Sequence, residues 1–316
     1  MTMIMDDFQM GQDVPRVDAL RAELAQRIAQ AVPDDGGVHV LPGLQLRRVS
    51  APTPAAHVVS ALAFCVIAQG SKEIALGGER YHYDPAHYLI TTAALPITTR
   101  ISDASPERPF LTFLLSLDPA LVGSVMVEAG IPAPRSQSSV RAVAVSALDT
   151  ELLDAVVRLV RLVETPSAAH VLAPLVTREI MYRLLAGEQG ERLRQIATLG
   201  GTTHRIATAI ARLRRDYARP LPIEDLADEL GMSVSSFHQH FKAVTALSPL
   251  EFQKQLRLQE ARRLMLGEGF DAATAGFQVG YNDASHFNRE YKRFFGEPPM
   301  RDVERLRGAV QESASA

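Results

Sequence analysis

The chain carries one cysteine, Cys65, and no tryptophan in 316 residues. A single thiol excludes an internal disulfide and any zinc site built from several cysteines. No apolar run reaches the roughly 18 residues of a membrane helix. The opening residues, MTMIMDDFQM, are acidic and lack the basic start and apolar stretch of a secretory signal. An excess of cations is missing too: 33 Lys and Arg stand against 36 Asp and Glu, a formal net charge of −3. These absences point to a cytoplasmic protein with no membrane partner, and they give no electrostatic advertisement of nucleic-acid binding. What is present is ordinary globular material, 47% hydrophobic and 22% charged, in a length that suits about two domains. Residues 204–308 hold 16 Lys/Arg against 14 Asp/Glu, so even the more basic third is only mildly cationic. Any argument for DNA must come from local architecture.

Periodicity divides the chain. Val17, Leu20, Leu24 and Ile28 recur at helical spacing and predict a helix over 16–31, inside an N-terminal arm of residues 1–42. Pro33-Asp34-Asp35-Gly36-Gly37 then breaks it. Residues 43–118 alternate short β-rich runs with turns. The runs are 64–70, 72–78, 79–84, 87–92, 96–101 and 109–117, and they predict a small sandwich or barrel. Residues 119–190 turn helical, with candidates at 119–130, 148–164 and 168–187. Glycines at 187, 190, 200 and 201 mark a looser stretch, so 191–203 reads as a linker. A helical domain follows at 204–308, with a tail at 309–316. The fold class is α+β.

The last hundred residues contain a duplication. Phe237 and Phe287 lie 50 residues apart, as do Phe241-Lys242 and Tyr291-Lys292, and Pro249 and Pro299. Each copy reads as an acid-capped helix, a Gly turn at Gly231 or Gly280, and a second helix capped by Ser233 or Asp283. This is the helix-turn-helix plan. In the first copy Leu226, Leu230, Phe237, Phe241 and Val244 form a shared core, leaving Ser235, His238, Gln239 and Lys242 outward. In the second, Phe287, Tyr291 and Phe294 turn inward and Ser285, Asn288, Arg289 and Lys292 outward, with Arg293 beside them. Such a face suits base edges and phosphates in a major groove. Between the copies, 249–266 lacks internal Gly or Pro up to Gly267 and predicts one helix. At about 1.5 Å per residue it spans roughly 27 Å. A rod of that length can hold two reading helices near one DNA turn, about 34 Å, apart.

With these residues in hand, the chain resembles the AraC/XylS family of bacterial transcription regulators. The resemblance rests on Leu226-Ala227, Gly231-Met232-Ser233, Phe237, Phe241-Lys242 and Ser248-Pro249 in the first copy. In the second it rests on Val279-Gly280-Tyr281, Ser285, Phe287, Arg289, Tyr291-Lys292-Arg293 and Phe295-Gly296. It implies double-stranded promoter or operator DNA as partner, read by Ser235, His238, Gln239, Ser285, Asn288 and Arg289. It also implies RNA polymerase as a partner if the chain activates. Two departures stand out. Ala246 occupies a position where the family usually has Gly, and Gln239 replaces a basic residue. The first reading helix thus has one cation, Lys242, against Arg289, Lys292 and Arg293 in the second, which assigns more of the electrostatic grip to the second half. Residues 64–118 resemble the cupin-like N-terminal domain of one AraC-type subgroup, through Gln69-Gly70-Ser71-Lys72, Tyr83-Asp84-Pro85, Tyr88-Leu89 and Leu95-Pro96. The segment Arg178-Glu179-Ile180-Met181-Tyr182-Arg183-Leu184-Leu185 extends that likeness. Such domains sense a small effector, dimerise, or do both.

If the barrel encloses a ligand, Phe64, Val66, Tyr83, Tyr88, Ile90 and Phe113 are candidate lining residues, with Arg100 or His82 as polar handles; the same residues read equally as core. The helix at 168–187 carries enough apolar surface for a homodimer contact or for burial within one chain. Cys65 shares a strand face with Ile67 and reads as an inert strand residue ahead of a redox or electrophile sensor. A metal-holding cupin pattern is missing: Tyr81-His82-Tyr83 offers one histidine, His87 lies five residues on, and His57 is isolated. Neither a Ser-His-Asp arrangement nor a phosphate loop can be located. The expectation is a non-enzyme without metal or cofactor. The rival is a cupin-type ligand-handling enzyme with a helical interaction tail.

Overall fold

The structure, a computed structural model, describes residues 3–134, 141–197 and 202–315. It divides into two compact units, Met1–Arg205 with Ala243–Ala246, and Ile206–Lys242 with Leu247–Ala316.

The first unit opens with α1 (Met3–Ala31), which runs through Pro15 and so starts well before the expected residue 16. Its apolar stripe is the expected one, with Leu20, Leu24 and Ile28 buried. Ten strands follow: β1 (Gly36–Leu41), β2 (Leu44–Val49), β3 (Ala56–Val59), β4 (Ala63–Gln69), β5 (Ser71–Leu76), β6 (Glu79–Tyr83), β7 (His87–Thr91), β8 (Pro96–Asp103), β9 (Phe110–Ser116) and β10 (Val143–Ala147). They form two antiparallel sheets, a six-stranded one in the order β1-β2-β9-β4-β7-β10 and a four-stranded one in the order β3-β8-β5-β6. The six expected strands are all present. Four more are present: β2 and β3 fall within 43–118, while β1 and β10 carry the β structure beyond that range at both ends. β10 completes the large sheet from far along the chain by pairing with β7, Val145 opposite Leu89.

Helices α2 (Pro119–Glu128), α3 (Thr150–Arg161), a 3-10 turn (Leu162–Glu164), α4 (Pro166–Ala186) and α5 (Gly190–Ala197) complete this unit. Asp118 caps α2 and Asp149 caps α3 by accepting backbone N–H bonds. The 191–203 linker is corrected here: up to Ala197 the stretch is α5, because Leu193 and Ile196 form an apolar face that is buried. Residues 198–201 of that stretch lie outside the described residues, and α6 begins at Thr202.

The main core of this unit lies outside the large sheet, between the sheet and its helices. Phe64, Val66, Tyr88, Ile90 and Phe113 all belong to it, packed with Leu24, Ile28, Val156 and Leu184. Phe64 meets Tyr88 and Phe113 edge to face, ring centroids 5.5 and 6.0 Å apart. Arg161 donates two 2.7 Å bonds to Glu23, tying α3 to α1. Arg27 shares that carboxylate, and the two guanidiniums hold it near pKa 2.

The second unit is helical: α6 (Thr202–Arg215), α7 (Ile223–Glu229), α8 (Val234–Thr245), α9 (Pro249–Arg263), a π turn (Leu264–Glu268), α10 (Ala272–Gln278), α11 (Ala284–Phe295) and α12 (Pro299–Ser315). The expected rod at 249–266 is α9 plus most of the π turn. It starts in a capping box in which Ser248 and Glu251 bond each other's backbone N–H. Helix α12 continues to Ser315, through the expected tail. Only the second copy has the expected acid cap on its first helix. Asp271 caps α10, whereas Pro222 sits at the start of α7 with no side-chain cap. Among the described residues no helix is long and apolar enough to cross a membrane.

Candidate nucleic-acid interface and internal cavity

The two turns are built for their task. Gly231 and Gly280 both take positive φ, +62° and +93°. At Gly280 a Cβ would also lie 2.0 Å from the Ala218 carbonyl oxygen, so a side chain is excluded by space as well as by backbone. Ser233 Oγ accepts from the Ser236 N–H at 3.2 Å, and Asp283 from the His286 N–H at 2.5 Å. Behind each reading helix the expected aromatics are buried: Phe237 and Phe241 in α8, Phe287 and Tyr291 in α11. Phe294 is partly buried against the core of the second copy.

Burying those positions turns the opposite faces outward. Ser235, Gln239 and Lys242 are exposed on α8, with His238 half-buried and edge-on to Phe237 at 6.1 Å. Ser285, Asn288, Arg289, Lys292 and Arg293 are exposed on α11. The spacing i, i+3, i+4, i+7 makes each set of four one stripe. Arg293 stands apart: it donates to Glu290 at 3.2 Å, so part of its charge is already answered within the helix. Among the described residues no ion pair joins Arg289 or Lys292 to a carboxylate.

Sequence reasoning missed the residues that set the second copy in place. Arg257 on α9 donates to the carbonyls of Tyr217 (2.7 Å), Arg219 (2.9 Å), Gly280 (3.1 Å) and Ala218 (3.3 Å). It thereby joins the α6–α7 loop to the turn of the second copy. Gln253, one helical turn earlier, donates to Tyr217 and Arg219 as well. Burial lowers the Arg257 pKa from its usual value. A further buried group is Asp302, which accepts two bonds from Arg262 and one from Tyr291. Nothing in the helical pattern distinguishes these polar residues from solvated ones.

The first unit holds a cavity of about 400 Å³ between its two sheets. Of the expected lining residues only Tyr83 reaches it. Phe64, Val66, Tyr88, Ile90 and Phe113 point the other way, into the helix-covered core, while His82 and Arg100 are exposed on the small sheet. The physical reason is the helical layer: the most apolar face of the large sheet packs on the helices, and the more polar face turns inward. Gln45, Arg47, Cys65 and Thr112 line the large-sheet wall; Lys72, Tyr83 and Thr99 line the other. The expected shared face of Cys65 and Ile67 opposite Phe64 and Val66 matches this parity, and it puts Cys65 at the cavity wall. Burial pushes its thiol up to about 11, and burial likewise lifts the Tyr83 phenol well above its usual value. The missed signal was Lys72. It shares strand parity with Ile74 and Leu76, both buried, so alternation alone turns a cation inward.

A two-sheet unit with an internal cavity followed by paired helix-turn-helix copies on a connecting helix defines a class of protein that carries a binding module and a DNA-reading module on one chain. Comparison with known proteins agrees. A family model described as the AraC-type transcriptional regulator N-terminus matches residues 40–192, and a helix-turn-helix domain model matches 226–305. The chain belongs to the AraC/XylS family of transcriptional regulators. Among similar proteins, the transcriptional activator RhaS of Escherichia fergusonii is 30% identical over 165 residues, 51% of this chain and 58% of RhaS. The regulator ArgR of Pseudomonas aeruginosa is 25% identical over 138 residues, 43% of this chain and 42% of ArgR. The chain thus spans about half the length of the curated relatives it matches. In fold it is similar to ToxT of Vibrio cholerae solved with an unsaturated fatty acid bound. The TM-score is 0.51 at 11% identity, covering 82% of this chain and 94% of ToxT.

Proposed function

We propose that the chain is a sequence-specific, DNA-binding transcription regulator whose first unit takes a small effector in the cavity between its sheets. The carrying observation is the repeated outward stripe, Ser235, Gln239 and Lys242 with the half-buried His238 on α8 and Ser285, Asn288, Arg289 and Lys292 on α11. Each stripe backs onto buried aromatics and follows a capped Gly turn. The family membership and the fatty-acid-bound state of the ToxT neighbour support the same division of labour. Effector binding shifts the balance between states with different DNA affinity. The site of action is the cytoplasm, the DNA is a promoter or operator, and RNA polymerase is the partner if the chain activates. A homodimer through α4 fits its exposed Val171, Leu172, Leu175 and Tyr182. The domain limits proposed are an N-terminal sensing unit through about residue 197 and a reading unit from about residue 204. The enzyme alternative finds no support in the two family matches.

Gel shifts on operator DNA selected from a random pool test this reading. The affinity falls steeply with salt, because phosphate neutralisation releases counterions. Arg289→Ala weakens binding more than Gln239→Ala, and if its contact is to phosphate it lowers the salt slope by about 1. Binding that is blind to sequence and salt sinks the proposal, and a larger loss from Gln239→Ala reverses the ranking of the two halves.

A further inference from the structure

The cavity wall is electrostatically one-sided. Lys72 and Arg47 both line it, and no Asp or Glu does. Among the described residues neither cation has an ion-pair partner. Lys72 enters from the small sheet on an inward strand position, where burial lowers its pKa and Arg47 adds to that lowering. A desolvated ammonium beside a guanidinium is costly unless an anion answers it. The Thr99 hydroxyl, at the same cavity, is buried with no hydrogen-bond partner among the described residues. The remaining surface is mixed, with an apolar part formed by Val58, Ile101, Phe110 and Leu114 beside Gln45, Thr53 and Thr112. A charged end and an apolar body are thus asked for together, inside a volume typical of small-ligand sites.

We infer that the cavity binds a small organic carboxylate, its charged group held by Lys72 and Arg47 with the Thr99 hydroxyl donating, and its hydrocarbon body against Ile101, Phe110 and Leu114. This rests on the effector reading of the first unit and narrows it to one chemical class. The two cations come from different sheets, Arg47 from β2 and Lys72 from β5. The ligand therefore bridges the sandwich, and its arrival offsets the repulsion that Arg47 exerts on Lys72.

Isothermal titration calorimetry of the full chain with octanoate, octan-1-ol, octylammonium and inorganic phosphate tests the assignment. Octanoate binds with one site per chain. Octan-1-ol, of the same length and without charge, binds at least about tenfold more weakly, and octylammonium does not bind. Lys72→Met weakens octanoate at least about tenfold while changing octan-1-ol by less than about threefold, which shows that the variant is folded. Thr99→Val is a second, milder variant that weakens octanoate by about three- to tenfold. Equal affinity for acid and alcohol, unchanged octanoate binding in Lys72→Met, or no binding by octanoate overturns the inference. Phosphate binding as tightly as octanoate overturns the organic part and leaves a free-anion site. The operator gel shift is run on the same preparations. A chain that shifts DNA but ignores octanoate loses only the carboxylate assignment; a chain that binds octanoate but no DNA loses the regulator reading instead.

Discussion

Replacing Arg262 by Met isolates the energetics that hold the second reading helix. Asp302 is wholly buried, and Arg262, only 13% exposed at its side chain, donates to both of its oxygens at 2.7 and 2.6 Å. Tyr291, on α11, donates to the same carboxylate at 2.8 Å, and Arg305 pairs with it from α12. One carboxylate thus joins α9, α11 and α12. Met retains most of the apolar stem of Arg262 but withdraws the charge. Breaking a buried pair from one side costs about 3–5 kcal/mol. Arg305 remains as a partial partner, which argues for the lower end. Losing the guanidinium over the Phe295 ring, 4.3 Å from its centroid, adds about 0.5–1 kcal/mol. The expected loss is about 3.5–4 kcal/mol, or more than about 10 °C in the melting of a unit this size. Thermal unfolding of the full chain followed by circular dichroism reads it. Removing both partners, Arg262→Met with Asp302→Leu, leaves no stranded charge between them and should fall short of the summed single losses by about 2 kcal/mol. A single-variant loss below about 1 kcal/mol, or additivity within about 0.5 kcal/mol, refutes the argument that Asp302 depends on Arg262.

Two other outcomes are expected. Ala246 is the one non-glycine residue with positive φ among the described residues, at +61°, and Gly296 holds the matching place in the second copy at +90°. Relief of left-handed strain, about 1–2 kcal/mol, exceeds the entropy cost of glycine, about 0.5–1 kcal/mol. Ala246→Gly should therefore raise stability by about 0.5–1 kcal/mol, read as a higher urea midpoint at unchanged slope; a lower midpoint contradicts it. Cys65, its thiol raised to about 11 by burial, carries about a hundredfold less thiolate at pH 8 than an unperturbed thiol. Labelling of the native chain by an aromatic disulfide should be slower than labelling of the urea-unfolded chain by at least that factor, and should quicken about tenfold per pH unit. Fast native labelling at pH 8 would restore the sensor reading of Cys65.

The reading unit was legible because its signals are local. Turn glycines, cap residues and paired aromatics at a fixed offset specify each copy within about twenty residues, and the exposed stripes follow from the buried ones. The sensing unit was legible as strands but not as faces. Alternation separated Phe64 and Val66 from Cys65 and Ile67, yet it could not say which set looked into the cavity. That depends on α1 and α3, which lie far away in sequence and cover the large sheet from outside. β10 was missed for a similar reason: its partner strand is more than fifty residues earlier. Lys72 was within reach, since a cation in register with Ile74 and Leu76 is informative wherever a strand is buried on that side. Arg257 and Asp302 were not, because their importance comes from carbonyls and side chains that only the folded chain brings near.

The inverted sandwich has an evolutionary corollary. Because the large apolar cluster of the first unit lies beneath its helices, the cavity wall shares no residue with that cluster. Exchanges at Gln45, Thr53, Thr99 or Thr112 alter the shape and polarity offered to a guest without removing a packing partner from Phe64, Phe113 or Val156. Recognition and foldedness can then drift independently, so a lineage built on this scaffold can acquire new chemical triggers by small steps, and a library confined to those positions can be screened for new ones in the laboratory.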